Sequence, residues 1–127
     1  MEITEISFEA IKILTDKVLY PVSKGNKDSG LKGIGMPFRS QAQTLFYHLS
    51  ESLIHRMLHD SSLKEFTQAK NTFLEELSRI CMGIFERVTK PYANKPEIIG
   101  VVAIGRVKLR KLLNNLIKEH IVTGGAA

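Results

Sequence analysis

From Pro96 to His120 the residues Ile98, Val102, Leu109, Leu112, Leu113 and Leu116 recur at helical spacing. At about 100° per residue they fall within roughly a third of the helical circle. Gly105 lies inside that stripe, where its small size allows close packing. The rest of the helix surface carries Arg106, Lys108, Arg110, Lys111 and Lys118. One face therefore belongs to a core and the other looks outward with positive charge. The run Ile98-Ile99-Gly100-Val101-Val102 also suits a short strand. Helix is preferred because the stripe continues without a break to Leu116.

Three further helices follow from the same periodicity. Ile6, Ala10, Ile13 and Leu14 are in register from about Thr4 to Tyr20, a segment predicted to stop before Pro21 because a residue preceding proline is pushed out of helical backbone. A second helix begins near Pro37 and repeats Ala42, Leu45, Phe46, Leu49, Leu53 and Met57. Ser62 and Glu65 have the spacing of a capping box for a third, which continues through Phe66, Phe73, Leu77, Ile80, Ile84 and Val88 to Lys90. Asn94 is placed to cap the fourth. The expected fold is all-α, an elongated bundle of four helices and at most five, in a single domain over residues 1–127. Leu49 and Leu77 are expected at its centre. A basic, glycine-rich loop spans 21–37, and the tail at 122–127 should fray.

The net charge of +5 is unevenly spread. Residues 1–20 sum to −2 and 40–94 to zero, whereas 21–39 carry +3 and 95–120 carry +4. Positive charge concentrated in one loop and one helix favours a polyanionic partner. The alternative is a solvated basic face without a ligand. Cys81 is the single cysteine, which excludes an intrachain disulfide and a cysteine-based zinc cluster. Its place among Leu77, Ile80 and Ile84 marks a buried, inert thiol. The acidic start Met-Glu-Ile-Thr-Glu is unlike a signal peptide, and no apolar run is long enough to span a bilayer. A soluble, cytoplasmic protein is expected.

No catalytic or cofactor motif is complete. Gly25 and Gly30 have the spacing of a phosphate-binding loop, but Leu31 stands where the lysine belongs and no Ser or Thr follows. What remains is a cationic loop able to track a phosphate backbone, or a plain linker. His48, Glu51, His55 and His59 share one side of the second helix, opposite its apolar stripe. A solvated polar face is the default there, and no metal is expected. Arg56 and His59 are too close, and Arg39 and His48 too far apart, for the Arg–His pair of helical nucleases. The expectation is a protein that is not an enzyme, with no cofactor and no small-molecule substrate.

Three segments together resemble a known family: Ala-Gln-Thr-Leu-Phe-Tyr-His-Leu-Ser-Glu at 42–51, Phe-Leu-Glu-Glu-Leu-Ser-Arg-Ile-Cys-Met-Gly-Ile-Phe-Glu-Arg at 73–87, and Gly-Arg-Val-Lys-Leu-Arg-Lys-Leu-Leu at 105–113. They look like the C-terminal helical bundle of the large subunit of type I CRISPR effector complexes (Cascade), which some subtypes also make as a separate small subunit. The resemblance covers about residues 40–115 and rests on helix pattern. It implies a noncatalytic subunit that contacts other effector subunits and copies of itself and stabilises guide RNA and target DNA, holding the displaced non-target strand in a cationic groove. Arg106, Arg110 and Lys111 would contact phosphates, with Lys108 and Lys118 on the same helix and Lys24, Lys27, Lys32 and Arg39 as further candidates. Two other classes stand beside this one. One is a helical adaptor or dimerisation module docking an acidic protein, and the other is a metal-dependent enzyme built on the helix 2 histidines.

Overall fold

The computed structural model describes residues 3–26, 31–32, 37–59, 66–92 and 94–120. The chain is an all-α helical bundle. Its first helical run comprises α1 (Ile3–Lys12), a π-helical segment (Ile13–Leu19) and α2 (Tyr20–Lys24). Next come α3 (Pro37–His59), α4 (Phe66–Thr89) with a 3-10 turn at Lys90–Tyr92, and α5 (Pro96–His120). Helix α4 packs on both α3 and α5, while the π segment closes the bundle against α5. One hydrophobic core joins them, with Leu14, Phe46, Leu77, Phe85 and Leu109 among its members.

The first run does not stop before Pro21. It passes through the proline to Lys24, and the π segment explains how. A proline inside an α-helix lacks the N–H for the carbonyl four residues back, and its ring strikes that carbonyl. Here the Tyr20 N–H donates to the Thr15 carbonyl, five residues back, so the helix has already widened when Pro21 arrives. The wider turn also buries five side chains in seven residues: Ile13, Leu14, Thr15, Val18 and Leu19. Beyond Lys24, the expected loop contains a short antiparallel pairing of Gly25–Asn26 with Leu31–Lys32, in the register Gly25 to Lys32.

Helix α3 buries Ala42, Phe46, Ser50 and Leu53, but Leu49, expected at the centre, is 48% exposed. The buried face is turned toward Ser50. A hydroxyl reads as a surface residue, yet Ser50 Oγ donates to the Phe46 carbonyl at 2.6 Å and enters the core without an unmet hydrogen bond. Thr15 and Thr89 are buried in the same way, donating to the carbonyls of Ile11 and Phe85 at 2.8 and 2.7 Å. At the start of α5 the N-cap is Lys95 and not Asn94, since the Lys95 carbonyl accepts from the N–H groups of Ile98 and Ile99. Pro96 sets this register, because its fixed φ favours the first helical position and makes the residue just before it, Lys95, the cap. The proposed Ser62–Glu65 capping box and the tail at 122–127 lie outside the described residues.

The two glycines Gly83 and Gly105 make opposite demands. A Cβ on Gly105 would sit 2.6 Å from Val22 Cγ2 and 3.3 Å from Phe85 Cζ, so the close packing expected of this residue is present. A Cβ on Gly83 would meet nothing within 4 Å. Gly83→Ala should therefore raise stability by about 0.5–1 kcal/mol through helix propensity. Gly105→Ala should lower it by about 1–3 kcal/mol through overpacking. Urea unfolding of the two variants measures both. The same assay should give a loss of about 2–5 kcal/mol for Leu77→Ala, which is fully buried. Leu49→Ala should cost less than about 1 kcal/mol.

Candidate nucleic-acid interface

Helix α5 commits Ile98, Val102, Leu109, Leu113 and Leu116 to the core, as the stripe requires. The same backbone places Lys108, Arg110, Lys111 and Lys118 on its exposed side. Lys111 and Lys118, seven residues apart, lie within about 20° of each other around the helix axis, so they form one outer row. The outward face is not basic throughout. Ile99, Ile104 and Val107 are also exposed, Ile104 and Val107 by 63% and 66%, so the face changes from apolar to basic along its length.

Arg106 differs from the other α5 cations. Its guanidinium forms a fork-to-fork ion pair with Glu86 of α4, Nε donating to Oε1 and Nη2 to Oε2, the latter at 3.1 Å. The hydrogen bonds that Arg106 donates to Glu86 push its pKa above its already high ordinary value. Both side chains are partly exposed, at 38% and 50%, so solvent screens the pair and its contribution to stability is small. Its effect is mainly geometric: the pair lays the guanidinium plane at the seam between α4 and α5.

The candidates in the basic loop are only partly described. Lys24 is exposed at the end of α2, with Nζ 4.6 Å from the centroid of the Tyr20 ring. The strand that contains Lys32 packs on α5, so the backbone brings the two basic segments together. Lys27 and the side chains of Lys32 and Arg39 lie outside the described residues.

Two cations that sequence reasoning passed over join this region. Arg87 and Lys90, on the last turn of α4 and just after it, line one open depression with Glu86, Thr89, Val102 and Arg106. The available signal was the short α4–α5 connection, which folds the first turns of α5 back onto the last turns of α4. On α3, His48, Glu51 and His55 are exposed, and the side chain of His59 lies outside the described residues. Among the described residues no three His, Cys, Asp or Glu side chains gather as metal ligands, and no helix is long and apolar enough to cross a membrane. No protein-family model matches the sequence.

Cys81 is fully buried, and desolvation pushes its thiol from the ordinary 9.0 up to about 12. It should resist iodoacetamide in the native protein and react on unfolding. The raised pKa also fixes a sign. Above pH 9 the unfolded thiol ionises while the folded one stays neutral, so stability falls between pH 9 and about 12. Relative to Cys81→Ala, urea unfolding should show a loss approaching about 1.4 kcal/mol per pH unit in that window.

Proposed function

We propose that this chain is a noncatalytic nucleic-acid-binding subunit of a type I CRISPR effector complex, contacting the phosphate backbone of guide RNA, target DNA or the displaced strand. The observation that carries this reading is the exposed basic half of α5, where Lys108, Arg110, Lys111 and Lys118 project from a helix whose opposite face is anchored in the core. Cations on a rigid element, without an aromatic side chain among them, suit phosphate contact without base readout. The resemblance of the segments at 42–51, 73–87 and 105–113 supports this family, and with it the expected partners: other effector subunits and further copies of this chain.

A second reading, a helical adaptor for another protein, draws on the exposed Ile99, Ile104 and Val107 that adjoin the basic half. Salt dependence separates the two. Changing Lys108, Lys111 and Lys118 together to Ala should flatten the slope of log K against log salt for single-stranded DNA by roughly two units, at about 0.7 per lost contact. Affinity should fall alike for unrelated sequences. A triple variant that binds as the wild type does, alone and in the assembled complex, would remove these three lysines as the carriers of this reading.

A further inference from the structure

The depression between α4 and α5 sets three cations, Arg87, Lys90 and Arg106, around one carboxylate, Glu86. An arginine has five N–H donors. The pair with Glu86 occupies Nε and one N–H of Nη2, leaving three donors on a guanidinium that lies at the seam. Arg110, exposed, lies one turn further along α5 and continues the positive edge. On the α4 side, Gly83 stands about one turn before Glu86, exposed and with open space where a side chain would be. The Thr89 hydroxyl is committed to the Phe85 carbonyl, so charge and not hydroxyl chemistry defines the seam.

We propose that this α4–α5 groove binds the phosphodiester backbone of a single nucleic-acid strand, with Arg87 and Lys90 donating to phosphate oxygens beside an Arg106 held in position by Glu86. The inference rests on the nucleic-acid reading above and adds a second track to it, separate from the outer row of Lys108, Lys111 and Lys118. The depression is bounded by residues of α4 on one side and α5 on the other, a setting for one backbone strand. Among the described residues no aromatic side chain lines it, so the contact is to phosphate and not to bases. Arg87 and Lys90 also offset the negative carbonyl end of α4. That effect acts on folding and leaves the salt dependence of binding untouched.

The test is fluorescence anisotropy of a labelled oligothymidylate of about 20 nucleotides, titrated with the full chain over a range of salt. Arg87→Gln with Lys90→Gln should flatten the salt slope by about 1.4, two contacts at about 0.7 each. Gly83→Glu, whose Cβ meets nothing within 4 Å, should weaken binding by placing a negative charge one turn from Glu86, while Gly83→Ala should bind as the wild type. Circular dichroism checks that each variant is folded, and Gly83→Glu serves if the double variant is not. Wild-type slopes in the double variant and Gly83→Glu, with a loss in Lys108, Lys111 and Lys118→Ala, overturn the groove and keep the wider reading. Loss only in the groove variants supports the groove and removes the outer row. A wild type that binds no oligonucleotide at low salt overturns both. Saturable binding of inorganic phosphate without binding of the oligonucleotide marks a small-anion site and overturns the proposal.

Discussion

The bundle depends on the close approach of α5 to the first helical run and to α4 at Gly105. A hydrogen in place of a side chain lets the α5 backbone come against Val22 and Phe85, both buried. A methyl group there would push α5 outward, and the contacts of Val102 and Leu109 on either side would open with it. Helix α5 supplies both the core wall and the exposed basic residues. The position of those cations is therefore set by how deeply this one helix seats.

Val22 reaches Gly105 because the first run continues past Pro21. A helix that ended at Tyr20, as proline alone would dictate, would leave Val22 in a loop and the notch at Gly105 unfilled. The π segment resolves the conflict between proline and helix by pairing Tyr20 with Thr15. In doing so it turns both Val18 and Leu19 into the core. Its cost, a departure from the preferred hydrogen-bond pattern, is offset by the apolar area it buries.

The helices were legible in the sequence wherever apolar residues alone mark the buried face, and the α5 stripe matches its buried residues closely. Legibility failed where a polar group is satisfied locally. Ser50 enters the core by donating to its own helix, and this moves Leu49 to the surface. Periodicity counts hydrophobic side chains and is blind to a hydroxyl whose partner is the carbonyl four residues back. The Asn94 cap failed for a related reason, since the register of α5 follows from the ring of Pro96 and not from side-chain capping. The candidate site divides in the same way. Exposure of Lys108, Arg110, Lys111 and Lys118 follows from the stripe, whereas the Arg106–Glu86 pair joins residues 20 apart and exists only once α4 and α5 have packed.

The consequence for the basic surface is a division of work among cations that the sequence presents as equivalent. Arg106 is paired, its charge largely balanced by Glu86, so it contributes direction more than net attraction. Lys111 and Lys118 are on flexible stems in water, where they contribute long-range attraction and little geometry. Arg87 and Lys90 add net charge beside the paired guanidinium, in a depression walled by α4 and α5. A polyanion drawn in by the outer lysines would meet the paired guanidinium of Arg106 at the seam. Attraction and orientation thus reside on adjacent faces of the same helix, and the packing of α4 against α5 connects them.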